Sequence, residues 1–558
     1  YSNTNSALIL NGVYAPTNKL DIKVGILLNK AKMNAFDRNN SFYFASALHT
    51  EYNDSTEKDN ETGSANVNIK WQPTSRMEVL SSTFTKLSDY SASQEMAYWG
   101  NNSMNLGEGQ KLKKNDIRQS LQFTCKLRST ALYALVTFGS KSQDEKLNVL
   151  NDSILLPTYY NTGADLYGIR SYLSSNSYMY SLEVGSKWIL PRGYNIALAL
   201  RHNYNKDDLD AEDFSLDSHK SKGIYKKQSG ALIFEKTAGL LRFKVNASLT
   251  DNKYRQPSNN DNSSVKFNYN SLLRLVFSPK SELILTGSRE TYQINLNRLV
   301  DFPIHLSYDR IQSSSVIHSP FINKDAYSLH YRLINNYSNL LLFVSGMYSN
   351  TKGGGLANVS QQGITRSLTY IDGAHEEWMA LHGVISKGLG HWPVDTNIKL
   401  SWTRSRVASA LNDMMYNTTV QVPKGEINFV TRMKSMFNFD LGGLYKKNIY
   451  TSYANRKQYS ELFEAHLYTY FKYANFKGSV KYTLSKTNGG GLERLSNNIG
   501  FQVSCNLKKI QITLSGDELL HLHKNNWLMV SSSSYSSTTS YYMRMPGYLL
   551  LSCGLHIN

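Results

Sequence analysis

The chain has 558 residues and a formal net charge of +18, and this length is well above the size at which a single soluble core usually divides into domains. Neither a linker nor a Pro-rich stretch marks a domain boundary, and the chain contains only 11 Pro. No run of 18 apolar residues occurs, which excludes a transmembrane helix and an apolar leader segment within this sequence. The three Cys (Cys125, Cys505 and Cys553) give neither an even disulfide framework nor a metal-ligand spacing.

Apolar and polar side chains alternate from one end of the chain to the other, and this pattern predicts strands with one apolar face. The first hairpin is predicted over about 7–29, with its turn near 15–18. In the clearest strand, 241–250, every odd position is apolar and every even position is polar or charged. The last predicted strand lies within 540–558 and carries Leu549, Leu551, Cys553, Leu555 and Ile557 on one face. Further strands are predicted near 64–71, 182–190, 195–203, 397–402, 480–485, 501–507 and 510–515.

The predicted connections alternate in length. Short turns are expected near 15–19, 72–76, 128–130, 191–193, 237–239, 278–281, 336–338, 388–392, 474–476 and 507–509. Long polar loops are expected near 53–63, 87–117, 142–172, 204–227, 250–263, 291–324, 350–362, 404–424 and 487–496. Short turns on one side and long loops on the other are typical of outer-membrane barrels. We therefore predict an all-β fold, a large transmembrane antiparallel β-barrel of about 22 strands with short periplasmic turns and long extracellular loops, as one domain over 1–558.

The closing segment carries a resemblance to a known family. The run Arg544-Met545-Pro546-Gly547-Tyr548-Leu549-Leu550-Leu551-Ser552, the barrel layout and the richness in Tyr, Asn and Ser resemble the barrel domain of TonB-dependent-receptor-like outer-membrane proteins of the Bacteroidota. Family members often end with an Arg-x-Pro-x-Tyr stretch before the last strand. The resemblance implies a bacterial outer-membrane protein, surrounded by outer-membrane lipids, that imports a ligand when TonB moves a plug domain.

The sequence departs from the family pattern at both ends. Tyr1 to Asn5 leads directly into a strand, so we expect no N-terminal plug domain in this chain, and TonB would act through a plug that is not seen here. The chain ends on His556-Ile557-Asn558, where barrel proteins usually have an aromatic residue. A structural or scaffolding barrel, associated with surface lipoproteins or a secretion complex, therefore stays open as an alternative function.

Enzymatic and nucleic-acid functions find little support in the sequence. Neither a Gly-x-Ser-x-Gly elbow nor a Walker loop is present, so we expect no catalytic residues and no cofactor. His521 and His523, near Asp517 and Glu518, leave a barrel enzyme as a less favoured alternative. Lys and Arg are spread over the chain without a basic run, so we expect no nucleic-acid partner.

Basic residues at inward-facing positions are the candidate site. A basic lumen concentrates anions through its summed field, which suggests a path for an anionic or polyhydroxylated substrate. Alternatively, these residues pair with carboxylates of a plug or solvate a polar wall. The predicted lumen-lining residues are Lys23, Lys70, Lys187, Arg201, Arg242, Lys244, Arg274, Lys399 and Lys481.

The densest acidic cluster is 207–213, with the sequence DDLDAED. Alternate carboxylates in a loop are possible ligands for calcium. The run lacks the Gly and the terminal Glu of an EF-hand, so a solvated external loop is favoured and no metal site is expected.

Overall fold

The computed structural model describes most of the chain. The described residues are 2–43, 48–99, 104–151, 168–212, 218–256, 259–300, 302–307, 310–312, 317, 319–362, 365–390, 392–451, 457–489, 492–507, 510–521, 525–532, 536–544 and 547–555. None of the helices in these residues is long and apolar enough to cross a membrane.

The described residues form 29 strands and three short 3₁₀ turns, Pro191–Gly193, Leu296–Arg298 and Leu519–His521. The strands are β1 (Ser2–Thr17), β2 (Leu20–Tyr43), β3 (Leu48–Thr74), β4 (Met77–Trp99), β5 (Met104–Leu127), β6 (Thr130–Asn151), β7 (Gly168–Ile189), β8 (Tyr194–Glu212), β9 (Ser218–Lys236), β10 (Leu241–Gln256), β11 (Asn259–Ser278), β12 (Ser281–Gln293), β13 (Ile304–Ser307), β14 (Arg310–Gln312), β15 (Phe321–Asn335), β16 (Leu340–Gly353), β17 (Leu356–Gln362), β18 (Thr365–Ile371), β19 (His375–Gly388), β20 (Val394–Leu411), β21 (Met414–Thr431), β22 (Phe437–Thr451), β23 (Lys457–Tyr473), β24 (Phe476–Gly489), β25 (Leu492–Leu507), β26 (Ile510–Asp517), β27 (Asn525–Ser532), β28 (Ser536–Arg544) and β29 (Tyr548–Leu555).

The main sheet is an antiparallel meander in which each strand pairs with the next one along the chain. It contains β1 to β12, β15, β16, β19 to β26 and β29, twenty-three strands in the described part of the chain. The other strands belong to three long connections, between β12 and β15, between β16 and β19, and between β26 and β29. These connections lie at one end of the sheet, here called the loop end, and the short turns lie at the other, the turn end.

Cross-strand register collects the apolar side chains on one face. On β10, Leu249 is opposite Gly230 of β9 and Phe267 of β11, while Val245 is opposite Phe234. Side chains at alternate positions point to opposite faces of a sheet, so the even positions of β10 form the other, polar face. The predicted alternation is confirmed here, and the two sides are called the apolar face and the polar face below.

The apolar face exposes a belt of large side chains. On β2, β10 and β24 the belt runs over 20–28, 241–249 and 476–484, about nine residues each, which is close to the length of a tilted transmembrane strand. Leu200, Leu249 and Leu551 within this belt are exposed. A continuous exposed apolar surface of this size indicates contact with a membrane or a partner.

Aromatic residues border the belt on both sides. Tyr178, Tyr269, Tyr327, Tyr348 and Tyr445 lie near its loop-end border, where the hydroxyl groups of Tyr269 and Tyr327 are 3.0 Å apart. Trp71, Trp188, Phe277, Tyr337 and Trp392 lie near the turns. Two aromatic girdles around an apolar band are characteristic of transmembrane barrels.

Several segments that the sequence analysis assigned to long loops are strands. β3 extends through the predicted loop 53–63, β4 and β5 occupy the described residues of 87–117, and β8 and β9 occupy most of 204–227. Beyond the belt both faces are charged, as in the ion pair between Lys30 and Glu61. Backbone pairing continues there without apolar alternation, so the sequence pattern that marks strands is lost.

The turn end agrees with the sequence analysis, but the strand number does not. Nine of the ten predicted short turns separate described strands, and the tenth, near 507–509, is largely outside the described residues. The turn at 432–436 was missed. The prediction of about 22 strands is wrong, because six of the 29 strands in the described residues form within the long loops.

An added positive charge at the same depth in the belt should destabilise the protein much more on the apolar face than on the polar face. Val480 lies in the middle of the belt on β24, and its neighbour Ser479 points to the polar face. An Arg at the bilayer midplane costs about 2–4 kcal/mol in transmembrane barrels. Val480→Arg should lower the free energy of unfolding in lipid vesicles by this amount, and Ser479→Arg should have a much smaller effect. Equal losses for both variants would contradict the assignment of the faces.

Candidate functional site: the polar face and the loop cap

The structure places all nine predicted basic residues on the polar face. Six of them pair with carboxylates of the same sheet. The nitrogen–oxygen distances are 3.5 Å for Lys23 and Asp21, 3.1 Å for Lys70 and Glu78, 3.2 Å for Lys187 and Glu235, 2.7 Å for Arg201 and Glu183, 2.7 Å for Arg274 and Glu282, and 2.6 Å for Lys399 and Glu426.

The other three have different partners. Arg242 donates its Nε–H to the Gly239 carbonyl at 3.2 Å and lies directly opposite Arg274 in the register. Lys244 lies opposite Glu235 on β9. The ammonium group of Lys481 stands 5.8 Å from the ring centre of Tyr468. The nine residues are distributed over β2, β3, β7, β8, β10, β11, β20 and β24, so they do not form one compact site.

The main apolar core lies in the long connections. We call the described residues of 294–320 and 354–374 the loop cap. Two clusters of buried residues join the loop cap to the polar face beyond the belt. One contains Leu209, Ala211, Leu296, Val300, Phe302 and Ile304, and the other contains Tyr225, Tyr254, Ile294, Leu299, Ile317 and Phe321.

Directional contacts fix the loop cap to β8, β9 and β10. Gln256 donates its side-chain amide to the Leu299 carbonyl at 3.1 Å. The ring of Phe302 stacks on His219 with the centres 5.0 Å apart. Gly223 of β9 lies against Leu296 of the loop cap, and a Cβ atom there would come within 2.9 Å of the Tyr254 hydroxyl and 3.2 Å of Leu296. Because Gly223 has no side chain, the loop cap can pack closely against the sheet at this position.

The loop cap also reaches other parts of the sheet. β13 contacts β6 and β7, whose inward residues Leu147 and Val149 are buried. On the opposite side, β17 pairs in parallel with the end of β20, and Asn358 donates to Asp413 at 2.7 Å. The two connections of the loop cap pair with each other through β14 and β18, so together they bridge β6 and β20, which are far apart in the sheet order. This bridging indicates that the sheet curves around its polar face.

A row of buried polar side chains supports the contact. Tyr225 donates its hydroxyl proton to Asn252 at 2.8 Å, and the Asn268 amide donates to Thr250 at 3.0 Å. The Thr291 hydroxyl lies 3.2 Å from the Asn268 amide oxygen. Hydrogen bonding compensates the cost of burying these polar groups. Burial raises the pKa of the Tyr225 hydroxyl to about 12, so it keeps the proton that it donates.

Asp207 is a charged group whose protonation is affected by burial in this region. It lies on the polar face of β8 beyond the belt, between the outward-facing Lys206 and Asp208. Burial raises the pKa of the Asp207 carboxyl group, and a hydrogen bond from Ser177 opposes the shift. Burial disfavours the ionised carboxylate, so this residue makes the loop end less stable when it is charged.

The acidic cluster at 207–213 differs from the expected external loop. Its described residues belong to β8, and Leu209 and Ala211 are buried against the loop cap. Asp208 and Asp210 face the other way and pair with Lys206 at 2.6 Å and Lys220 at 3.8 Å. Within the described residues, three or more potential metal ligands do not come together anywhere.

Sequence reasoning missed the loop cap, although a signal was present. Leu296, Leu299, Val300, Phe302, Ile304 and Leu306 make 296–306 apolar, which is unusual for a solvated loop. Of the two His considered for an enzyme, His521 is in the 3₁₀ turn that follows β26, and His523 lies outside the described residues.

Comparisons with known proteins give no family assignment. No family model matches the chain, and no curated protein matches it. Similar solved structures include the siderophore receptor PirA from Pseudomonas aeruginosa (10% identity, TM-score 0.42, 98% of this chain and 80% of that chain). They also include the outer membrane transporter YddB from Escherichia coli (10%, 0.48, 97% and 75%) and the copper transporter OprC (8%, 0.45, 98% and 80%). Since all three TM-scores are below 0.5, the functional proposal rests on this chain's own strands and side chains.

Neutralising Asp207 should stabilise the protein near pH 7. A raised folded-state pKa means that the folded protein binds more protons than the unfolded chain, so stability falls as the pH rises through the interval between the two pKa values. Asp207→Asn should therefore raise the thermal midpoint at pH 7, and the gain should vanish below the unfolded pKa of about 3.9. Thermal unfolding from pH 3 to 8 measures this. Asp208→Asn, which removes an exposed ion pair, should give no gain. A lower midpoint for Asp207→Asn at pH 7 would mean that the carboxylate is stabilised by Ser177 and Lys141 instead.

Truncating Phe302 should loosen the loop cap without unfolding the sheet. Phe→Ala in a packed core costs about 3–5 kcal/mol, and Phe302 is buried in the loop cap while the strands beneath it keep their own backbone pairing. Hydrogen exchange followed by mass spectrometry should show faster exchange of 296–306 in Phe302→Ala and unchanged exchange of β19 to β26. Phe277→Ala, at an exposed position near the turns, is the control. Uniformly faster exchange over the whole sheet would contradict a separate cap.

Proposed function

We propose that the chain forms a transmembrane β-barrel in a bacterial outer membrane and acts as the wall of a TonB-dependent-type importer. The apolar belt of about nine residues per strand carries this proposal, because only a closed sheet can present such a face to lipid without unpaired backbone groups. The concave polar face lines the path of the ligand. The proposed function includes no catalytic step.

The positions of the sheet edges support closure. β28 pairs with Asp37–Tyr43 of β2, directly beyond Asn34, where β1 begins. Three residues separate β28 from β29, a link of at most about 14 Å, and strands lie about 4.8 Å apart. β29 is therefore within about three strand widths of β1. Both edges run from the loop end to the turn end, so a single antiparallel strand between them would complete the barrel.

The loop cap supports gated import over passive diffusion. Its buried clusters cover the loop end of the concave face over β6 to β10. A solute cannot pass where these side chains are packed, so passage at this point requires the cap to move. A transporter driven by an external energy source fits this arrangement better than an open pore. In this proposal TonB supplies the energy through a plug domain, as the resemblance to the receptor-like family implies.

Import should appear as solute removal that depends on both the protein and energy. We would grow a deletion strain and the same strain complemented with the full-length gene, and compare spent media by mass spectrometry. At least one solute should be depleted only by the complemented strain, and a protonophore should abolish the difference. Depletion that persists with the protonophore would indicate passive diffusion. No depleted solute, together with loss of surface lipoproteins in the deletion strain, would favour the scaffolding barrel.

A further inference from the structure

Four carboxylates near the turn end of the polar face share an unusual environment. Each of them lies on the polar face with two cations beside it. We call this set the turn-end ring; it consists of Glu78 with Lys70 and Lys126, Glu235 with Lys187 and Lys244, Glu282 with Arg274 and Arg332, and Glu426 with Lys399 and Lys424.

The group around Glu282 has the closest contacts. Arg274 donates its Nε–H to one carboxylate oxygen at 2.7 Å, and Arg332 approaches the other at 2.9 Å. Both oxygens are therefore engaged by guanidinium groups. Arg242 lies opposite Arg274 on the neighbouring strand, so two arginines face each other in the register next to this group. Like charges directly opposite each other destabilise a sheet, so this arrangement has an electrostatic cost in the isolated chain.

The other three groups repeat the pattern on different strands. Glu426 is 2.6 Å from Lys399 and 3.9 Å from Lys424. Glu78 accepts from Lys70 at 3.1 Å, and the field of Lys126 acts on it from β5.

Glu235 completes the set. It pairs with Lys187 at 3.2 Å and faces Lys244 across the β9–β10 pair. The four groups occupy β3 to β5, β7 with β9 and β10, β11 with β12 and β15, and β20 with β21, so they are spread over the sheet from β3 to β21.

In the turn-end ring, the side chains of the carboxylates are more buried than those of the cations. The side chains of Glu78, Glu235, Glu282 and Glu426 are 10–25% exposed, whereas those of Lys70, Lys187, Arg274, Arg332, Lys399 and Lys424 are 38–48% exposed. Each carboxylate therefore holds cationic side chains in place from beneath, through charge-assisted hydrogen bonds. The surface that a solute meets is cationic.

The ring has a net positive charge. Two cations for each carboxylate leave one positive charge per group. Near the turn end, Asp395 pairs one to one with Arg432 and does not offset the excess. Asp440 lies beside His466, which is charged only when protonated, so this pair removes at most one of the four excess charges. Rings of Lys and Arg select anions in membrane pores, and a charged concavity with low-dielectric walls concentrates counter-ions.

We propose that the turn-end ring is an anion-binding and anion-selecting site, and that the imported ligand carries negative charge such as carboxylate or phosphate groups. This inference rests on the proposed barrel, since a ring requires a closed, water-filled lumen. The second cation of each group, namely Lys126, Lys244, Arg332 or Lys424, supplies the selectivity, and the carboxylate with the first cation orients the site.

Ion selectivity of the reconstituted protein tests this inference. The full-length Phe302→Ala variant, in which the loop cap is loosened, is placed in planar bilayers under a potassium chloride gradient, and the reversal potential is measured. Chloride should be favoured over potassium by more than about threefold at low salt, and the preference should fall as the ionic strength rises and the Debye length shortens.

Removing the second cations should abolish this preference. In the same background, Lys126→Gln, Lys244→Gln, Arg332→Gln and Lys424→Gln combined should bring the permeability ratio close to 1. The matched control is Lys30→Gln, Lys32→Gln, Lys447→Gln and Lys486→Gln, which removes the same charge from ion pairs beyond the belt on the outward face. The control should keep the preference for chloride. If the quadruple variant does not fold, Lys424→Gln alone should lower the ratio, because Lys424 is the least engaged partner of Glu426.

The results of this experiment distinguish a failure of the anion-site proposal from a failure of the proposed importer. Conductance without a preference for chloride, or a preference that survives removal of the second cations, would overturn the ring and leave the importer standing. Absence of any conductance in the cap-loosened protein would overturn the ring as an anion-selecting site in an open lumen. The importer would be overturned as well only if the complemented strain also depletes no solute.

Discussion

The rest of this structure depends on one constraint, which is that the backbone groups beneath the apolar face must be hydrogen-bonded within the protein. An apolar face about nine residues long has to be turned toward lipid or a partner, and in lipid every peptide group needs a partner within the protein. The antiparallel meander meets this requirement from strand to strand, since each strand pairs with its neighbours in a continuous register. The alternation of side chains then separates the apolar face from the polar face without any long-range contact.

The requirement for apolar side chains does not apply to the polar face. This face carries two different kinds of side-chain contact. Beyond the belt, buried apolar clusters attach the loop cap to β8, β9 and β10. Near the turns, ion pairs replace apolar packing, and the carboxylates lie beneath the cations. The polar face is thus packed against the loop cap beyond the belt, while near the turns it carries exposed cations.

These two regions respond to different variables. The loop cap is stabilised by hydrophobic burial, and the charge of Asp207 opposes that burial. The turn-end ring acts through a field that salt screens within about 10 Å at 0.1 M. In the proposed importer, opening of the cap and selection by the ring would therefore be separable, and a substitution in one should leave the other in place.

The sequence by itself determined the all-β class, the faces of the strands within the belt and nine of the short turns, because alternation and turn residues are local signals. All nine predicted basic residues lie on the polar face, as the parity of each strand required. The sequence did not determine the strand extensions, since side chains in water beyond the belt no longer alternate. Only the tertiary structure decided that 296–306 folds back onto β8 to β10, and that Glu282 lies between Arg274 and Arg332. Those contacts join residues on different strands, and their distances depend on register and curvature, which no local pattern encodes.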